Sequence, residues 1–182
     1  MKFTRLEIAE IVLINSESFA DDRGSFQETY QKERFTAAGI AAEFVQDNQS
    51  TSVQGVLRGL HYQIRQPQGK LVRVIAGEIY DAAVDLRRSS ASFGHCVGNR
   101  LSAARPQQLW IPPGFAHGFY VLSQRAEVIY KVSDYYAEQW ERTLLWNDPA
   151  LGIAWPLLEG LPPILSARDA HGKPLAEAET YD

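Results

Sequence analysis

The chain has very little cysteine, and that sets its chemistry first. A single Cys96 stands in 182 residues, so no intrachain disulfide forms and no thiolate cluster anchors a zinc ion. Packed as a small apolar side chain, it suits a reducing compartment. Long hydrophobic runs are also missing. The N-terminal stretch MKFTRLEIAEIVLIN is interrupted by Glu7 and Glu10, which leaves its apolar core too short for a secretory signal. Nothing approaches the roughly 20 apolar residues of a membrane-spanning helix. A basic excess is absent too: 18 Lys and Arg against 22 Asp and Glu give a net charge of −4. That argues against nucleic acid and anionic membranes as principal partners. Internal repeats, low-complexity tracts, linkers and cofactor-binding motifs are likewise lacking. The expectation is one cytoplasmic domain, residues 1–182.

What is present is short-period alternation. LVRVIAG, IYDAAVDL, QLWIP, FYVL and EVIYKV are β-rich runs closed by Gly, Pro, Asn or Ser, as strands are. Their spacing predicts an all-β antiparallel barrel or sandwich with few helices. One short helix is predicted over QKERFTAAG, with Gly39 just past its last turn. FTRLEIAEIVLIN reads as an N-terminal strand able to add to a partner's sheet edge. After Trp146 the proline-rich tail predicts extended segments and turns.

Two stretches carry candidate chemistry. IPPGFAHGF has the form P-x-G-x-x-H, in which Pro112 and Gly114 turn the chain and His117 enters the next strand. Here the sequence resembles the cupin superfamily of small β-barrels. Metal-binding cupins resemble it less, because their first motif supplies two histidines and a glutamate. This chain offers His61-Tyr62-Gln63 and then Lys70. Two imidazoles make a poor first shell, and an ammonium nearby repels a divalent cation. A run of polar residues, Arg58, His61, Gln63 and Lys70, is costly to bury without a ligand. A polar barrel interior therefore points to a site.

A closer resemblance then covers nearly the whole chain. RGSFQETY, QDNQS, LRGLHYQ, KLVRV, DLRRSSASFG, IPPGFAHGF, YKVSDYY and WNDPALGIAWP stand in the order of the dTDP-4-dehydrorhamnose 3,5-epimerase family. The resemblance implies a cupin-like jelly roll, a homodimer, no metal, no cofactor and a role in L-rhamnose biosynthesis. The implied substrate is dTDP-4-dehydro-6-deoxy-D-glucose, a dTDP-linked keto-deoxy sugar inverted at C3 and C5. The resemblance makes His61 the general base, Tyr130 the proton donor, Lys70 the group beside the keto oxygen and Asp169 the carboxylate paired with the base. It assigns substrate binding to Arg23, Glu28, Gln46, Asp47, Asn48, Arg58, Lys70, His117, Glu141 and Arg168. Tyr136 corresponds to the aromatic that stacks on thymine. Arg168 replaces a more usual lysine, keeping the charge in a planar fork.

These residue types suit the reaction. Protons at C3 and C5 flank the C4 ketone, so removing either gives an enolate and no further electron sink is needed. A positioned base is worth about 10²–10⁴ in rate, and one oxyanion donor in a dry site roughly 3 kcal/mol. Taken singly, Tyr130 reads as a half-buried strand aromatic, Asp169 as a turn residue, and Glu28 with Arg58 as a surface pair. The ordered motifs favour the site. Sequence leaves open a mono-epimerase or ketoisomerase on a related dTDP-keto sugar, and a non-catalytic sugar-nucleotide-binding cupin.

Overall fold

Alternation of inward and outward side chains builds two facing sheets. The computed structural model describes residues 1–182. Its elements run β1 (Lys2–Arg5), β2 (Val12–Asn15), β3 (Ser18–Asp21), β4 (Gly24–Gln27), α1 (Lys32–Ala37), β5 (Gln46–Val53) and β6 (Leu57–Gln63). They continue with β7 (Lys70–Ala76), β8 (Glu78–Asp85), β9 (Cys96–Ser102), β10 (Gln107–Ile111), β11 (Phe115–Val121), β12 (Arg125–Val132), β13 (Glu141–Thr143) and α2 (Ala167–Ala170). One sheet has the order β1-β2-β10-β7-β12-β5, the other β13-β6-β11-β8-β9, and β3-β4 forms a separate hairpin. Every strand pairing is antiparallel. The fold is the expected all-β jelly roll with short helices.

Inward positions of both sheets meet in the main core. Val72, Val74 and Val128 come from the six-stranded sheet, and Ile79, Ala83, Phe115, Phe119 and Val121 from the five-stranded one. Each large apolar side chain so buried contributes about 1.5–3 kcal/mol. That apolar end of the sandwich supports a polar opposite end. The outer face of the five-stranded sheet is covered by the C-terminal tail, with Leu144, Leu151 and Ala178 packed on Leu60, Tyr62 and Val84. Phe35 of α1 and Ile40 cover Leu71 and Trp110 on the outer face of the other sheet.

The predicted helix forms. Gln31 accepts from the Arg34 N–H at 2.6 Å, and Gly39 (φ 86°) ends it. The N-terminal run differs from expectation: it is two antiparallel strands, not one. Leu6 N–H bonds Ile11 C=O at 3.0 Å to close the turn, and the charged Glu7 and Glu10 sit in that turn where water reaches them. β2 pairs with β10 and buries Val12 and Ile14, leaving β1 as the sheet edge. The tail is extended as predicted, apart from short helical turns. One of these, α2, carries Asp169.

Candidate active site

A cavity of about 340 Å³ opens between the sheets at the polar end. β6 contributes Arg58, His61 and Gln63, β11 contributes His117, and β13 contributes Glu141. From the facing sheet come Gln46 and Asn48 of β5, Lys70 of β7 and Tyr130 of β12. Tyr136 and Arg168 stand at the rim.

In a regular strand Arg58 and His61, three residues apart, face opposite ways. A bulge brings them together. His117 pairs with His61 but Phe119 pairs with Arg58, so three steps on β6 oppose two on β11. Gly59 makes this register possible. It has φ 116°, and a Cβ there would lie 2.6 Å from Gly118 Cα, which only glycine avoids.

His61 is tied to a carboxylate. Its Nε2 lies 2.5 Å from Asp169 Oδ1, and Ser166 Oγ donates to Asp169 Oδ2 at 2.8 Å. Asp169 is only 3% exposed. Burial pushes its carboxyl up, but the bonds from His61, Ser166 and the Gly59 backbone outweigh this and hold it below the usual carboxylate range. With Nε2–H directed at Asp169, the Nδ1 lone pair is the free basic atom of His61.

Lys70 is buried among the histidines. Its Nζ donates to His61 C=O at 3.2 Å. Burial lowers its pKa to about 8, against the pull of Asp81 and Glu141. His117 Nε2 lies 2.8 Å from Asp81 Oδ2, and both side chains are buried. Burial lowers the His117 pKa while Asp81 opposes it, so the imidazole is neutral near pH 7 and donates its N–H to the carboxylate. Across the cavity, burial raises the Tyr130 pKa and keeps its phenol protonated. Arg58 is oriented by an Nε bond to Ser52 Oγ at 3.0 Å. No three His, Cys, Asp or Glu side chains gather in a metal-ligating group.

Asp81 escaped the sequence reading. The signal was an acid at an inward position of IYDAAVDL, between Ile79 and Ala83, both wholly buried. At the rim, Tyr136 OH donates to Glu141 Oε2 at 2.7 Å, and the Arg168 guanidinium binds the same oxygen. Four expected residues lie outside the cavity: Asp169 stands behind His61, and three others point elsewhere. Asp47 falls on the outward side of β5 and pairs with Lys131 Nζ at 2.9 Å. Glu28 pairs with Arg34 at 3.1 Å. Arg23, in the β3–β4 turn with its side chain 90% exposed, pairs with Asp21 at 2.5 Å.

Known proteins share this fold. A family model described as dTDP-4-dehydrorhamnose 3,5-epimerase matches residues 5–177. The chain belongs to the dTDP-4-dehydrorhamnose 3,5-epimerase family. A relative of that name from Pseudomonas aeruginosa is 54% identical over 182 residues, covering 100% of this chain and 99% of the relative. A solved epimerase of the family, from Legionella pneumophila in complex with dTDP-4-keto-L-rhamnose, has a TM-score of 0.94. It is 47% identical, over 98% of this chain and 94% of that one. A 3'-monoepimerase from Streptomyces bikiniensis in complex with dTDP-quinovose has a TM-score of 0.87. It is 32% identical, over 94% of this chain and 86% of that one.

Proposed function

We propose that this enzyme is a dTDP-4-dehydrorhamnose 3,5-epimerase, inverting C3 and C5 of dTDP-4-dehydro-6-deoxy-D-glucose to give dTDP-4-dehydro-L-rhamnose. The observation that carries this reading is that His61 and Tyr130 face one cavity from opposite sheets. A sugar ring between them has a base on one face and an acid on the other, which inversion requires. His61 Nδ1 takes the proton beside the ketone, and Asp169 stabilises the imidazolium that results. The Lys70 ammonium meets the charge that grows on the C4 oxygen. Tyr130 returns a proton on the far face; its phenolate is then reprotonated from solvent and His61 releases its proton to solvent, which resets both groups. His117, neutral and held by Asp81, contributes an orienting ring edge. At the rim, Tyr136 stacks on thymine while Arg58 and Arg168 meet the diphosphate, joined by Gln46, Asn48 and Glu141. Proton transfer beside a ketone calls for neither metal nor cofactor, so activity should persist in EDTA.

We further infer a cytoplasmic homodimer that supplies L-rhamnose for cell-surface polysaccharide. The β3–β4 hairpin supports the dimer: it joins neither sheet, and Phe19 and Phe26 on it are 62% and 72% exposed. An isolated two-stranded hairpin is marginal in water, and a second copy would cover these rings. Such packing would also give Arg23 and Glu28 a route to the neighbouring cavity, and with it their substrate-binding role. A monomer at micromolar concentration in analytical ultracentrifugation would rule the dimer out.

Incubation with the 4-keto sugar nucleotide in heavy water tests the chemistry. Deuterium at both C3 and C5 with inverted configuration is expected. Incorporation at C3 alone would instead indicate a mono-epimerase, the reading that the Streptomyces bikiniensis neighbour supports. No exchange at either carbon would leave a binding module.

A further inference from the structure

Tyr136 stands on a loop whose backbone is held largely by glutamine side chains, beside an Asp134 bond to Tyr135 N–H at 2.7 Å. Gln63 Nε2 donates to Tyr135 C=O at 3.2 Å and to Gln66 C=O at 2.8 Å, while its Oε1 accepts from Ala137 N–H at 2.8 Å. Gln46 Oε1 accepts from Tyr136 N–H itself at 3.1 Å. Gln68 Nε2 donates to Asp134 C=O at 2.9 Å. Three amides, from β5, β6 and the β6–β7 loop, thus fix each peptide group around Tyr136.

The geometry points to Gln63 as a positioning residue that pre-organises Tyr136 for the nucleotide, a role that rests on the base-stacking reading above. Gln63 lines the cavity, where an amide would ordinarily be taken as a substrate contact. Its hydrogen-bonding capacity argues otherwise. Both N–H donors are used, the oxygen is engaged, and the side chain is only 3% exposed. A primary amide has two donors and one acceptor oxygen, so nothing is left to donate to a ligand. Only Gln fits this place. Glu keeps the acceptor but turns two attractive carbonyl contacts into repulsions, and Asn is a methylene too short. Two residues away on the same strand face sits His61, so Gln63 also fixes the platform's height relative to the base. A stacking ring held in its bound position loses less entropy when the base arrives.

A double-mutant cycle tests this, with dTDP affinity read by calorimetry on the full chain. Tyr136→Ala should weaken dTDP binding about tenfold or more, as loss of one base–aromatic stack does. Gln63→Met removes all three bonds at similar volume and should weaken it roughly three- to tenfold. KM for the sugar nucleotide should rise by more than kcat falls. In the Tyr136→Ala background Gln63→Met should add less than about twofold, because residues acting through one another are not additive. Full additivity would overturn the proposal and leave the stacking reading intact. An unchanged dTDP affinity in Tyr136→Ala would overturn the stacking reading, and the role of Gln63 with it. If Gln63→Met fails to fold, Gln68→Met completes the same cycle through Asp134 with a smaller effect, and additivity there overturns the proposal equally.

Discussion

The two sheets meet the cavity with different chemistry. The five-stranded sheet brings paired groups: His61 with Asp169 behind it, and His117 with Asp81. From the six-stranded sheet come groups without a carboxylate bonded to them: Lys70, whose one protein bond is to a backbone carbonyl, and the Tyr130 phenol. A histidine braced by a carboxylate can accept a proton and keep its orientation. A buried ammonium and a buried phenol hold protons ready to give or to share. On the proposed roles, base chemistry sits on one wall and acid chemistry on the other. That proposal gives a two-face reaction one sheet for each face.

Removing the base should break this division most completely. His61→Asn leaves the six-stranded wall intact but nothing to start the reaction, so exchange at both C3 and C5 should stop. We expect a loss of at least about 10²–10⁴, the range for a positioned base. Isotope appearing at either carbon at the parent rate would place the base elsewhere.

Lys70→Met attacks the other wall. Loss of the oxyanion donor should lower kcat by about 10²–10³ at C3 and C5 alike, since both enolates share the C4 oxygen. In the parent enzyme kcat should fall as pH rises past about 8, where Lys70 loses its proton. A pH profile flat to 10 would remove the ammonium from the mechanism.

Tyr130→Phe sharpens the comparison further. The enolate still forms at His61, so exchange at C5 should survive in part while inversion there falls much further. Water entering the site supplies a residue of inversion, so the expected result is a lower ratio of inversion to exchange. Inversion at the parent rate would leave His61 as base and require another acid.

Legibility in the sequence divides within one wall, between strands with an apolar inward face and one without. Strands such as LVRVIAG and EVIYKV were readable because their inward residues are apolar along most of the length. β5 (QDNQSTSV) was not readable as a strand. Its inward Gln46, Asn48 and Ser50 line the cavity, so it alternates without a hydrophobic face. His61, Lys70, Tyr130 and His117 were legible through ordered motifs, and all reach the cavity. Asp47 shows the limit of motif transfer, since period two turns it outward beside its two inward neighbours. The bulge at Gly59 was invisible because it depends on the partner strand: only pairing with β11 shows that Arg58 and His61 share a face. Asp169 needed the tail to fold back on β6, a contact between residues 108 apart in sequence.

The smallest effect expected lies in stability, and it comes from the same lysine. Burial lowers the Lys70 pKa from 10.5 to about 8. Below pH 8 both folded and unfolded chains carry the proton, and the folded state bears the full penalty of a buried charge, about 3 kcal/mol at most. Between pH 8 and 10.5 the unfolded chain binds more protons than the folded one, so this contribution makes stability rise with pH. Other groups oppose it at the top of the range. Burial raises Cys96 and Tyr62 each to about 12, and such groups lose stability as pH climbs above their unfolded values. The parent curve alone therefore mixes signs, and the difference between parent and Lys70→Met isolates the lysine. Lys70→Met should melt several degrees higher than the parent at pH 7, and this advantage should shrink steadily from pH 8 to 10.5. A variant with much of its activity lost at neutral pH should then be more stable than its parent there. An advantage that stays constant with pH would mean that Lys70 holds its proton in the folded enzyme as firmly as in water. The six-stranded wall would then have no titrating acid in the working range, and a fall in kcat above pH 8 would need another group.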